Sequence, residues 1–363
     1  MTITRRGFAA LGTMALLAGS AWAQDVPAGY PADYAKVIES GKAEGKVVIY
    51  TSTDMAQSQG LLDAFTKKYG IAVEYNDLGT NGAYNRAISE AAARQMGADV
   101  VWSSAMDLQV VLAADGYAQT YASPEAAHLP EWAVYKDQIY ATTVEPIGVI
   151  YNTGAIKPED FPKTRPELIA YLNDNADTLK GKVATFDPEK SGTGFLHHTN
   201  DAQATDSFWD LAKAMGKDGV RTYSSSGSMR ETVVSGENVM AINIIGSYAM
   251  DWVKGSPNLG VAFGTDYTAA FSRLALLTEG APHPEAGKLF IDFMLSQEGQ
   301  NALAKGGLPS VRNDVTEGLG FDALNAEVGG SLKPIAISDD LLTYMAPQKR
   351  VEFFREWNAA LGK

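Results

Sequence analysis

The chain reads as an α/β protein of two lobes, each a mostly parallel sheet flanked by helices, joined by a hinge of crossing strands. Three observations predict this. Short apolar runs alternate with helical repeats and with loops of capping residues, the rhythm of strand–helix–strand units. The 363 residues suffice for two domains, each with its own core. Two strand-like runs, one ending at Asn152 and one over 271–277, fall where the chain would leave the first lobe and return to it.

Residues 1–23 read as a leader. Thr4-Arg5-Arg6-Gly7-Phe8 is basic, an apolar stretch runs to Ala18, and Ala21-Trp22-Ala23 places small residues at a peptidase site. The paired arginines fit twin-arginine export, with an ordinary unfolded-chain signal as the alternative. Export to a Gram-negative periplasm is expected, with processing near Gln24 and residues 24–45 as an N-terminal extension. The first lobe is then expected to comprise 46–143 and 269–363, and the second 144–268.

Within the first lobe, Lys46-Val47-Val48-Ile49-Tyr50 suits a buried parallel strand, followed by the capping row Thr51-Ser52-Thr53-Asp54. Leu61, Leu62, Phe65 and Tyr69 recur at helical spacing and Gly70 stops that helix. Ile71, Val73 and Tyr75 alternate as a second strand. Tyr84, Ala87, Ile88 and Ala91 mark another helix, and Asp99-Val100-Val101-Trp102 is a third strand closed by Ser103-Ser104. In the second lobe, 149–152 and 182–186 read as strands. Pro284 opens a long helix that carries Ala286, Leu289, Phe290, Phe293 and Met294 on one face. Ligands bind beyond the carboxyl ends of such parallel strands, where both polar loops lie.

Composition removes whole classes of chemistry. There is no cysteine, hence no disulfide, no thiolate metal site and no cysteine nucleophile. The formal net charge is −13, and without the two leader arginines about −15. Such a surface repels nucleic acid and anionic lipid, yet a small anion answers to local donors inside a Debye length of ~8–10 Å. After the leader no apolar run approaches the ~18 residues of a spanning helix, so no stable membrane insertion is expected.

Several segments together carry a family resemblance: Ala98–Ser104, Val149–Thr153, Lys180–Val183 with Ser191-Gly192-Thr193-Gly194, Ser235-Gly236-Glu237, and His283–Ala286 through Phe290–Phe293 to Ser296–Gln300. In this order they resemble the periplasmic solute-binding proteins of ABC importers, in the branch of ferric-ion binders and sugar-phosphate binders. The resemblance implies the type II two-lobed periplasmic-binding-protein fold, a ligand cleft between the lobes and delivery to a membrane permease by a monomer without cofactor. It also implies where ferric binders keep their ligands, and those places hold Asp54, Ser104 and Gly246-Ser247, with a single Tyr248 one position late. Ferric iron, a hard cation, wants several anionic oxygens that this set does not supply. The expected cargo is therefore a small organic anion, a sugar phosphate, phosphonate or similar; ferric transport is the alternative.

Ser191, Gly192, Thr193 and Gly194 are the expected anion cradle, because small residues admit a ligand to the unpaired N–H groups of a helix start. Ser226 and Arg230 are candidate donors from the segment 224–230. Gly246 and Ser247 are expected to open room for a larger ligand, with Tyr248 either stacking on it or capping the core. Thr51, Ser52, Thr53, Asp54, Ser103 and Ser104 line the first lobe's side, Trp102 is a candidate platform or a core side chain, and Glu145 and Asp54 are candidate hydroxyl acceptors, with hinge and cap chemistry as the alternative. Asp266, Tyr267 and Thr268 would face the cleft at the return crossing. His197 and His198 are adjacent, hence about 100° apart on a helix, so they are not read as a metal pair, although one of them is placed to hydrogen-bond the ligand. No metal site and no catalytic residue are assigned. A periplasmic phosphoesterase is the competing class, disfavoured because no histidine sits near a Ser/Asp pair in a triad-like pattern. A sensor that signals to a membrane chemoreceptor would share the same site.

Overall fold

The computed structural model describes residues 26–363; the leader over 1–23 lies outside the described residues. The strands, in chain order, are β1 (Lys46–Thr51), β2 (Ala72–Asp77), β3 (Val100–Ser103), β4 (Val134–Tyr135), β5 (Ile139–Ala141), β6 (Glu145–Asn152), β7 (Val183–Phe186), β8 (Arg221–Tyr223), β9 (Met240–Ile245), β10 (Leu259–Ala262), β11 (Thr268–Phe271), β12 (Leu274–Leu277) and β13 (Leu332–Pro334). They form two sheets, ordered β2-β1-β3-β12-β5-β4 and β13-β11-β6-β9-β7-β8, with β10 paired to β6.

The expected α/β architecture is present, and the sheets are mixed. Pairing is parallel over β2-β1-β3, over β9-β7-β8 and between β11 and β13. It is antiparallel wherever β6, β12 or β4 takes part. The parallel portions are the strand–helix–strand units, whereas a strand that crosses between lobes enters the other sheet reversed. The run 271–277, read as one strand, is two. β11 pairs with β6 in the second sheet and β12 with β3 in the first, so Ser272 and Arg273 are the crossing itself.

Burial explains the elements. β1 and β3 are buried on both faces, as central parallel strands must be, while β2, at the edge, alternates. Helix Met55–Tyr69 buries Leu61, Leu62, Phe65 and Tyr69, and Gly70 ends it at φ +71°. Helix Tyr34–Glu44, from the N-terminal extension, lies against helix Pro284–Leu295 so closely that a Cβ on Gly41 would stand 2.5 Å from Leu289 Cδ1.

The chain's last part departs from its expected placement in the first lobe. β13 joins the second sheet, and helix Pro347–Ala360 buries Phe353 and Trp357 among Phe195, Phe208 and His198 of the second lobe. Its apolar face is too short and irregular in sequence to announce which lobe it covers.

Candidate functional site

Five helices begin around one cavity between the lobes. Asp54 precedes helix Met55–Tyr69, Gly79 and Thr80 open helix Gly79–Ala92, and Ser191 and Thr193 open helix Gly192–Ala204. Ser225, Ser226 and Gly227 open helix Ser226–Val234, and Ile245 and Tyr248 belong to the start of helix Gly246–Gly255. Ser52, Asp77, Ser104, Phe186 and Ser224 complete the cavity's wall. β1, β2, β7, β8 and β9 each deliver the chain to this point and the following helix starts there, so unpaired N–H groups and positive dipole ends, about half a charge each, converge.

Hydroxyls supply the second set of donors. Ser104 Oγ lies 2.8 Å from Thr193 Oγ1 across the cleft and 3.2 Å from Ser52 Oγ, which also accepts from the Ser104 N–H at 3.1 Å. Ser191 Oγ caps its helix by accepting from the Gly194 N–H at 3.1 Å. Ser226 Oγ is buried, lines the cavity and has no hydrogen-bond partner, which leaves a hydroxyl for whatever binds there. The lobes also meet where the Gly192 N–H donates to Thr80 Oγ1 at 3.1 Å and Asn81 Nδ2 to the Lys190 carbonyl at 3.3 Å.

Gly192 owes its place to this contact. A Cβ there would stand 3.0–3.1 Å from Asn81 Oδ1, Thr80 Oγ1 and Ala105 Cβ on the opposite lobe. Gly192→Val is expected to leave the melting temperature nearly unchanged but to weaken ligand binding about ten-fold, through ~1.4 kcal/mol of hindered closure. Titration calorimetry beside thermal denaturation checks it; a lower melting temperature with unchanged affinity contradicts it.

Two carboxylates share the cavity. Asp77 accepts from the Gly79 N–H at 3.2 Å. The Asp54 carboxyl is pushed up by desolvation at the cavity's edge and further by Asp77, with Arg273 opposing. Tyr248 is buried beside Asp54, its hydroxyl accepting from the Asp54 N–H at 3.4 Å.

Of the residues singled out from sequence, Ser52, Asp54, Ser104, Ser191, Thr193, Ser226 and Tyr248 line the cavity, with Gly192 on its rim. Others do something else. Trp102 is fully buried, donating Nε1–H to Thr142 Oγ1 at 2.8 Å; it is core and not a platform. Thr51 is buried and accepts from the Thr53 N–H, and Ser103 Oγ accepts from the Ala105 N–H, so both shape the loops from beneath. Gly194 permits close packing, since a Cβ would stand 2.6 Å from Phe186 Cβ. Gly246 likewise opens no room for ligand: a Cβ would meet the Pro146 carbonyl at 2.4 Å.

Glu145 is no hydroxyl acceptor for a ligand. Fully buried, it takes two bonds from Arg273, one from Thr143 Oγ1 at 2.8 Å and one from Ser247 Oγ at 2.5 Å, which also withdraws Ser247 from the cleft. Arg230 stacks on Trp252, 5.3 Å from the ring centre, and is not part of the cavity's wall. Tyr267 lines a separate cavity inside the second lobe beside Arg165 and Asp201, and Asp266 caps the helix of Arg165. Thr268 is buried, donating Oγ1–H to the Gly264 carbonyl at 2.9 Å. His197 and His198 face inward too, bonded to the Asn243 and Phe186 carbonyls. Burial holds their rings neutral, at about 3 and about 4.

The sequence reading missed Asp77, Gly79, Thr80 and Arg273. The first three stand at the carboxyl end of β2, so the strand-end rule that flagged 51–54 and 103–104 reaches them as well. Arg273 lay hidden inside an apolar run.

Comparison with known proteins agrees with the fold and the cleft. Residues 60–325 match the family described as bacterial extracellular solute-binding protein. The substrate-binding protein of an ABC transporter from Agrobacterium tumefaciens is 36% identical, superposing with a TM-score of 0.82 over 87% of this chain and 94% of its own. A putative 2-aminoethylphosphonate-binding periplasmic protein of Salmonella typhimurium is 26% identical over 317 residues, 85% of each chain. The periplasmic binding protein AfuA from Actinobacillus pleuropneumoniae, with exogenous fructose-6-phosphate bound, shares the fold at 23% identity, with a TM-score of 0.69 over 88% of this chain and 99% of its own. Among the described residues no helix is long and apolar enough to cross a membrane. With the ordered motifs, the two-lobed architecture and the family match over most of its length, the chain belongs to the bacterial extracellular solute-binding proteins, the ligand-capturing components of ABC importers.

Proposed function

We propose that this receptor works in the periplasm, without catalysis, and captures a small organic phosphonate or phosphate for its permease. The observation that carries the reading is the convergence of five helix starts and the hydroxyls of Ser52, Ser104, Ser191, Thr193 and Ser226 on one cavity. Backbone N–H and hydroxyl donors suit a tetrahedral oxyanion. Ferric iron wants several anionic oxygens, and the cavity's wall offers only Asp54 and Asp77 with one phenol, Tyr248.

The same two carboxylates favour an amine at the ligand's other end. The neighbouring Asp77 adds to the cost of ionising Asp54, and an ammonium group would offset it. 2-Aminoethylphosphonate, the ligand named for the Salmonella relative, has this zwitterionic pattern. A sugar phosphate is the second reading, since carboxylates also accept hydroxyl hydrogen bonds.

Thermal denaturation with 2-aminoethylphosphonate, ethylphosphonate, fructose 6-phosphate, inorganic phosphate or ferric citrate tests the proposal. A ligand at ~100 times its dissociation constant stabilises by about 2.7 kcal/mol, a shift of several degrees. The expected order is 2-aminoethylphosphonate first and ethylphosphonate far behind. A shift with fructose 6-phosphate alone moves the assignment to sugar phosphates, and a shift with ferric citrate alone overturns the organic-anion reading.

A further inference from the structure

We infer that Arg273 and Glu145, which do not line the cavity, are a positioning pair that holds the two lobes' ligand loops in register at the hinge. The inference rests on the cleft being the ligand site proposed above. Both residues are fully buried, and each lies on one of the chain segments that pass between the sheets, Glu145 at the start of β6 and Arg273 between β11 and β12.

The guanidinium is almost wholly committed. Nε–H donates to Glu145 Oε1 at 2.8 Å and Nη2 to Glu145 Oε2 at 3.1 Å. Nη1 reaches the first lobe's loop, donating to Thr53 Oγ1 at 3.1 Å and to the Ser52 carbonyl at 3.4 Å. Its backbone N–H donates to Thr143 Oγ1 at 2.9 Å. Glu145 reaches the other way, accepting from Ser247 at the start of helix Gly246–Gly255, and the guanidinium carbon lies 5.1 Å from the centre of the Tyr248 ring. One ion pair thus touches residues 52–53, next to Asp54, and residues 247–248, next in turn to the second lobe's wall. With four of its five guanidinium N–H donors committed and its charge balanced by Glu145, Arg273 is no anchor for the ligand's anion. It fixes where Ser52, Asp54 and Tyr248 stand.

The geometry of a planar fork explains the residue types. Only arginine bridges a carboxylate with two parallel bonds and still turns a third nitrogen toward a neighbouring loop. Losing one partner alone would strand a buried charge, so single truncations confound positioning with folding. Exchanging both for apolar residues of similar length removes the bonds without stranding a charge.

The test is therefore Glu145→Met with Arg273→Met. Thermal denaturation checks the fold, titration with 2-aminoethylphosphonate the affinity, and amide hydrogen exchange in the absence of ligand the loops. The expected result is a melting temperature within a few degrees of wild type, affinity reduced at least about ten-fold, and faster exchange confined to 51–54 and 246–249. A folded double variant with wild-type affinity and wild-type exchange in both loops overturns the inference. Should the double variant not fold, Arg273→Lys, which keeps the charge but cannot make the fork, is read the same way. Should the wild-type protein bind none of the anions tried, the ligand reading fails, and exchange in the two loops still decides on the pair.

Discussion

Replacing Ser191 and Thr193 together by alanine is expected to weaken binding of 2-aminoethylphosphonate about a hundred-fold or more. A hydrogen bond from a hydroxyl to a charged group contributes about 1.5–3 kcal/mol, so two lost donors amount to about 3 kcal/mol at least. Both side chains line the cavity, and both belong to the first turn of helix Gly192–Ala204. The fold should lose far less. Thr193 gives up one contact with Ser104, and Ser191 gives up a helix cap, a loss of about 1 kcal/mol. Ser296→Ala is the matched control. Ser296 Oγ caps helix Gln297–Lys305 in the same way, accepting from the Gly299 N–H at 3.2 Å, but in the first lobe and away from the cavity. Calorimetric titration of the two variants separates the roles: the control should bind as wild type does, at a similar cost in stability. Wild-type affinity in the double variant would remove the anion cradle from the site.

How far the site could be read in advance depended on what each residue's role required. Ser52, Ser104, Ser191 and Thr193 were legible because they follow strands that announce themselves as apolar runs, and a polar loop after a buried parallel strand has one place to go. β1 and β3 are such strands, buried on both faces. Trp102 and Gly246 sit one or two positions from true lining residues, and there the local backbone path decides whether a side chain meets the cleft or the core. A shift of one residue reverses that, and the register shift between Gly148 and Val149 shows how the pairing departs from a regular count.

Lobe membership was less legible, because it is set by contacts distant in sequence. Helix Pro347–Ala360 covers the second lobe through Phe353 and Trp357, whose partners Phe195 and Phe208 lie about 150 residues earlier. Arg273 shows the limit most clearly. In sequence it interrupts an apolar run, as a surface arginine beside a strand would. Its meaning comes from Glu145, 128 residues away, at the other crossing between the sheets.

The largest effect on stability is expected from Asp107→Asn. Asp107 stands in the first turn of helix Met106–Ala114, where the helix dipole favours a negative charge, and its Oδ1 accepts from the Leu108 N–H at 2.8 Å. Burial outweighs both. The carboxyl is 2% exposed, its Oδ2 has no partner, and desolvation pushes its pKa up to about 7. A raised carboxyl pKa means that the folded state holds its proton more tightly than the unfolded chain does. The associated stability is complete below the unfolded value near 3.8 and is lost as pH rises through about 7. Above that range the wild-type protein carries a penalty of about 4 kcal/mol that asparagine, isosteric and neutral, does not. The advantage of the variant should therefore be a few kcal/mol at pH 8, clearly smaller at pH 5.5 and nearly gone at pH 4. Comparison at each pH is essential, because His197 and His198, held neutral by burial, lose stability as pH falls below about 6.5 and offset the gain in the wild-type curve. Denaturant unfolding of both proteins at the three pH values measures the difference directly. An advantage that did not shrink with falling pH would mean that the substituted amide packs better for a reason other than charge, and the buried carboxylate would not be what limits this lobe at neutral pH.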